Sequence, residues 1–176
     1  MPQLSKFDER RLRGLEIPNI RFSDDHTKVL YTFDIYGNEK RQLGYKDIKK
    51  GTIKQLTVGL TAEWGSCGRK IYYTTPDDNS RPYMVSSIDI QTGEITEIWK
   101  EEDPAFYVDL TCTKDKKYIV LNSNSKTTSE VFVIDRGTGK CRNIVPRKNG
   151  VRYFLEHGKG YFYLTTNDDG AIDYKI

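Results

Sequence analysis

KTTSEVFVIDRGTGKC (Lys126–Cys141) has an echo earlier in the chain, RPYMVSSIDIQTGEI (Arg81–Ile95). Each stretch runs through alternating residues into Ile-Asp, passes two residues, reaches Thr-Gly and returns to apolar residues. A third copy, DIKKG, begins at Asp47, so Asp47, Asp89 and Asp135 stand at offsets of 42 and 46. In every copy Asp and Gly are four apart, which suits a hairpin loop. An Asp carboxylate accepts hydrogen bonds from the amides of the turn that follows it, and Gly takes a positive φ without steric cost.

Outward from these hairpins a second register carries the same period. KVLYTFD starts at Lys28, KIYYTTP at Lys70, KYIVLNS at Lys117 and GYFYLTT at Gly160, with offsets of 42, 47 and 43. Turn signals (SDDHT, YGN, PDDN, KDK, GTG, KNG and NDDG) separate short apolar or alternating runs, the pattern of an all-β chain. Only the first ~15 residues, with KFDERRLRG, predict a helical turn or two. A period of 42 to 47 residues holding about four short strands predicts β-propeller blades, which a β-sandwich would not repeat. The expected fold is therefore all-β, an incomplete β-propeller of about three and a half four-stranded blades. A lead segment, 1–21, precedes blades at 22–60, 61–104, 105–150 and an unfinished 151–176. That last unit stops as its second strand forms. Propellers protect their strand edges by closing a ring, so the chain reads as part of a larger protein.

Composition narrows the function classes. Charged residues make up 30% and hydrophobic ones 36%, with a net charge of +3, which does not point to nucleic acid. The densest basic run, YKDIKKGTIK, places Lys46, Lys49, Lys50 and Lys54 around a solvated hairpin tip. Cys67, Cys112 and Cys141 are odd in number and form no C-x-x-C, and the only histidines are His26 and His157. That pattern disfavours zinc and a disulfide framework, and no metal or cofactor is expected. MPQLSKFDERRLRG lacks the apolar core of a signal peptide. No apolar run nears the roughly 20 residues of a membrane span. The expected location is the reducing cytoplasm, without membrane partners.

Candidate catalytic groups do not assemble. A nucleophile elbow needs G-x-S-x-G, whereas Ser66 lies in WGSCG with the wrong spacing, and Cys67 has no histidine in its repeat. His26 in SDDHT and His157 in LEHGKG read as turn residues. Acids in KEEDPAF (Glu101, Glu102, Asp103) and NDDG (Asp168) read as solvated loops and remain possible contacts for a basic peptide. Trp64, Trp99, Tyr72, Tyr73, Tyr161 and Tyr163 recur with the period and read as packing between blades. No residue is assigned to catalysis, and the substrate-binding residues stay open.

RPYMV, KEEDPAFYVDL, SKTTSEVFVID and VRYFLEHGKGYFYLTTNDDGAIDYKI resemble the N-terminal propeller of the prolyl oligopeptidase family of serine peptidases. The likeness is greatest to the oligopeptidase B (protease II) branch, then to prolyl endopeptidase-like proteins. It runs from Phe22 to the end, and is poor over the first 20 residues. The resemblance implies a seven-bladed propeller over an α/β-hydrolase domain that carries Ser, Asp and His. It further implies that the propeller admits only short peptides and that cleavage follows basic residues, read mainly by acids of the hydrolase domain. None of those catalytic residues maps onto this chain. The alternative is a non-catalytic propeller scaffold that self-associates through open blade edges.

Overall fold

The computed structural model describes residues 16–34 and 41–176. The helical turn expected in the first residues and the YGN turn lie outside the described residues. Blade 1 is β1 (Glu16–Phe22), β2 (Lys28–Asp34), β3 (Gln42–Asp47) and β4 (Ile53–Val58). Blade 2 is β5 (Ala62–Trp64), β6 (Lys70–Pro76), β7 (Pro82–Asp89) and β8 (Ile95–Lys100). Blade 3 is β9 (Tyr107–Cys112), β10 (Tyr118–Asn124), β11 (Ser129–Asp135) and β12 (Cys141–Val145). Blade 4 holds β13 (Tyr153–Gly158) and β14 (Tyr161–Thr166). Each four-stranded sheet is antiparallel and follows chain order, so the chain forms a partial β-propeller.

Two expected boundaries move. The first strand begins at Glu16 rather than Phe22, because β1 pairs with β2 through Asn19–Thr32 to Phe22–Val29. Blade 4 has both of its first strands complete. A bridge from Thr166 to Lys175 starts a third, whereas only a second was expected.

The Asp-x-x-x-Gly hairpins form as their chemistry requires. The Asp47 carboxylate accepts from the Lys50 amide, Asp89 from Gln91 and Thr92, and Asp135 from Gly137 and Thr138. Gly51, Gly93 and Gly139 close the turns at φ of 69°, 79° and 78°. Two of these carboxyls sit below the usual carboxylate range. Burial opposes the shift at Asp89, but the Gln91 and Thr92 amides and Arg69 outweigh it. At Asp135 the Thr138 amide leads, against burial. A depressed carboxyl contributes stability that is present above its unfolded value and lost as pH falls through its folded value. Glu63 and Asp109 shift the other way, raised by burial, and soften the loss. The urea midpoint is therefore expected to fall as pH drops from about 5 to about 3. The double variant Asp89→Asn, Asp135→Asn should show a smaller fall; an unchanged slope would contradict the assignment.

Apolar faces of adjacent blades make three cores. Leu30, Leu43 and Tyr45 meet Trp64, Ile71, Tyr73 and Ile88 between blades 1 and 2. Tyr72 and Val85 meet Val108, Leu110, Ile119 and Leu121 between blades 2 and 3. Val120 and Val131 meet Val151 and Tyr153, with Leu155 and Leu164 beside them. Strand side chains alternate faces, so Leu30, Tyr72 and Val120 are equivalent, each facing the following blade. That equivalence aligns Lys28 and Lys70 with Tyr118, not Lys117, in agreement with the pairs Lys28–Asp47, Lys70–Asp89 and Tyr118–Asp135. In blade 4 the strand starts at Tyr161, because Gly160 stands in the turn at φ 84°. The sequence alignment slipped by one residue at both places because exposed turn lysines are free to vary. A one-residue slip exchanges the two faces of a strand.

Candidate functional site

Antiparallel blades in chain order place their connections on two rims. The turns from first to second and from third to fourth strand share one rim. The turns from second to third strand, and the blade-to-blade linkers, share the other.

On the linker rim, the sequence-marked motifs are braces between blades. Arg81 of RPY bonds Asp77 at 2.9 Å and donates to the carbonyls of Asp103 (3.0 Å) and Phe106 (2.7 Å). Thr128 of TTSEV accepts the Gly150 amide at 2.9 Å, and Ser129 accepts the Tyr153 amide at 2.7 Å. Both are buried, so this motif seats blade 4 on blade 3. Glu101 was expected in a solvated loop, yet it is only 5% exposed. Its carboxylate accepts from the Ser123 hydroxyl, the Asp103 amide (3.0 Å) and Arg147 (2.6 Å). Linker residues buried between blades are satisfied internally, which composition does not reveal. Arg147 also approaches Glu130 at 3.3 Å and Asp103 at 3.6 Å, and lies 3.6 Å from the Phe106 ring centroid. One guanidinium thus faces three carboxylates. Beside it a cleft of about 430 Å³ is lined by Ala105, Phe106, Ser125, Thr127 and Asn149. Glu102 is exposed and pairs with Lys100 at 2.9 Å, and Asp168 pairs with Lys148 at 2.5 Å. Glu101 and Asp103 therefore come together, while Glu102 and Asp168 have separate partners.

The opposite rim carries the other candidates. The Ser66 hydroxyl donates to the Arg136 carbonyl at 3.2 Å, and Cys67 is exposed. Burial pushes the Cys112 and Cys141 thiols up to about 11, which keeps them protonated and weakly nucleophilic. His26 is in a turn at φ 54°. His157 departs from expectation. It lies within β13, 5% exposed, with Nδ1 at 2.6 Å from an Asp115 oxygen. Tyr118 and Phe162 pack edge-on against its ring at 4.8 Å. The loop of blade 4 is only Lys159–Gly160, so His157 falls within the strand where longer turns put a loop residue. Burial works against ionised Asp115, but the Thr113 hydroxyl and His157 hold its carboxyl below the usual range. Among the described residues, no serine or cysteine side chain is bonded to this Asp–His pair, and the Thr113 hydroxyl bonds Asp115 (2.8 Å) and the Tyr118 main chain rather than the His157 ring, so no hydroxyl or thiol is hydrogen-bonded to the base as activation requires. With the Lys114 amide donating to Glu156 at 3.0 Å, it clasps blade 3 to blade 4.

A residue that sequence reading passed over ties this rim together. Arg136, buried, donates to the carbonyls of Trp64 (2.8 Å), Lys116 (2.6 Å) and Gly65 (3.4 Å). It also pairs with Asp24 at 3.1 Å, joining blades 1, 2 and 3. Its signal was present: the three hairpins read DIKKG, DIQTG and DRGTG. The Ile48, Ile90 and Arg136 amides each donate to the carbonyl of a first-turn residue. Arg thus stands where two repeats carry Ile.

The model of the prolyl oligopeptidase N-terminal β-propeller domain matches residues 14–176. The chain belongs to this family. Relatives of the propeller include Protease 2 of Moraxella lacunata, 27% identical over 89% of the chain and 24% of that protein. The prolyl endopeptidase-like protein of Xenopus laevis is 33% identical over 94% of the chain and 24% of its own length. In structure, oligopeptidase B from Leishmania major superposes with a TM-score of 0.84 at 24% identity, covering 94% of the chain and 25% of the enzyme. The chain thus spans about a quarter of the length of the curated relatives it matches. Within the propeller family frame, Trp64, Tyr72 and Tyr73 are buried between blades as expected. Tyr161 and Tyr163 are exposed, on the face of blade 4 that corresponds to the one Leu30, Tyr72 and Val120 turn to the following blade.

Proposed function

We propose that this chain is the N-terminal propeller portion of an oligopeptidase B-like serine peptidase, gating the access of short peptides to an α/β-hydrolase domain. The serine-type endopeptidase reaction belongs to that domain, which supplies Ser, Asp and His. The observation that carries the reading is the family match across residues 14–176. The bonding of Ser66 and His157 to groups other than each other supports a non-catalytic role for the propeller. Cytoplasmic location forms part of the same proposal, supported by three free thiols.

Two measurements test it. The purified chain should not hydrolyse a dye-linked Arg or Lys peptide; turnover that disappeared in Ser66→Ala would overturn the non-catalytic reading. For gating, residues 14–176 replace the matching segment of Protease 2. The chimera should cleave a short basic peptide and spare a large unfolded protein. Comparable cleavage of both would overturn the gate.

A further inference from the structure

KNG, one of the turn signals in the sequence, contains the one Asn-Gly pair of the chain, Asn149–Gly150. Asn-Gly is the dipeptide most prone to lose ammonia, because no Cβ on the glycine shields its nitrogen from the neighbouring side-chain amide. Both residues are exposed, so burial does not keep water from them.

The turn that carries them opposes the reaction. The Val151 amide donates to the Lys148 carbonyl at 3.0 Å, Gly150 has φ 75° and Asn149 has a negative φ. That is a type II turn with glycine at its third position. A Cβ at Gly150 would meet nothing within 4 Å, so the glycine answers to φ alone. Closing a succinimide ring needs the Gly150 nitrogen eclipsed with the Asn149 Cβ about the Cα–C bond. A type II turn sets the two roughly 120° apart. Thr128 then pins both reacting groups. Its hydroxyl accepts the Gly150 amide at 2.9 Å and donates to Asn149 Oδ1 at 3.5 Å. Thr128 is itself a fixed point: it is 4% exposed, its amide donates to the Ser125 hydroxyl at 3.1 Å, and its carbonyl accepts the Ser125 amide at 2.8 Å.

We infer that Asn149 is a deamidation site held latent by Thr128. When the turn opens, the Gly150 nitrogen gives its proton to solvent and attacks the Asn149 Cγ. The N–Cγ bond forms, the Cγ–Nδ2 bond breaks, and ammonia leaves with a proton taken back from solvent. Water then opens the succinimide at either carbonyl, leaving aspartate or isoaspartate, so one water is consumed for each ammonia released. Isoaspartate adds a carbon to the main chain of the linker between β12 and β13, the segment that seats blade 4 on blade 3. This inference is independent of the gating reading, since it concerns the chemistry of a linker and not a channel.

Peptide mass spectrometry of the chain held in mildly alkaline buffer reads the reaction as an amide-to-carboxyl mass gain at Asn149. That residue should react quickly in guanidinium chloride and far more slowly in the native chain. Thr128→Val keeps the shape of the side chain and removes the acceptor, which should raise the native rate about five- to tenfold. Thr128→Ser should restore protection. Asn79, exposed in the turn before Ser80, should keep its rate in both variants, which separates opening of the latch from unfolding. Hydrogen exchange on the unmodified chain gives a variant-free reading: the Gly150 amide should exchange slowly. Equal rates in native and unfolded chain, a Thr128→Val rate no faster than native, an unprotected Thr128→Ser, a rise at Asn79 matching that at Asn149, or free exchange of the Gly150 amide would each overturn the inference.

Discussion

Replacing Arg136 with methionine is expected to lower stability by about 3 kcal/mol, a fall in melting temperature of roughly 6–12 °C for a domain of this size. Methionine keeps most of the apolar stem and removes the donors. The Trp64 and Gly65 carbonyls are buried and lose the Arg136 guanidinium, at about 1–3 kcal/mol for a stranded group. Asp24 is one-third exposed and regains water, so its pairing contributes little to the loss. Thermal denaturation followed by circular dichroism measures the effect. A change below about 0.5 kcal/mol, the usual range of surface substitutions, would show that the clamp does not hold the blades.

Trp64→Ala is expected to cost more, about 3–5 kcal/mol. The side chain is 2% exposed and sits edge-on to Tyr45 at 6.3 Å within the core between blades 1 and 2. Its indole N–H donates to the Arg21 carbonyl of blade 1 at 3.0 Å. Alanine leaves a cavity between two sheets that cannot collapse without parting them. Trp64→Phe fills most of that volume and isolates the lost hydrogen bond, so it should cost only about 1 kcal/mol beyond the smaller ring's packing. Because the Trp64 carbonyl also receives Arg136, the double variant with Arg136→Met should be non-additive by about 0.5 kcal/mol or more. Strict additivity would mean that the two residues stabilise separate units.

The hairpins were legible in the sequence because they are local. Asp89 and Gly93 lie within one turn, and the carboxylate and the positive φ that the turn needs come from those residues alone. Repeated with a constant period, that local chemistry also declares the blade. The site was less legible. Glu101 reads as one acid among three, and nothing nearby in the chain announces that Ser123 and Arg147 will bury it. His157 reads as a turn residue because LEHGKG is polar. Its burial comes from Asp115, 42 residues away, and from the rings of Tyr118 and Phe162.

By itself, the sequence determined the all-β class, the repeat, the hairpins and the family of this chain. Those properties depend on residue spacing within about one blade. Only the tertiary structure decided which face each strand buries, where the first strand begins, and that Arg136 joins three blades. The reason is the two-residue period of a strand: one position separates core from the opposite face, and local pattern tolerates either. Packing against the neighbouring blade makes the choice, with Tyr72 turned to blade 3 and Ile71 and Tyr73 to blade 1.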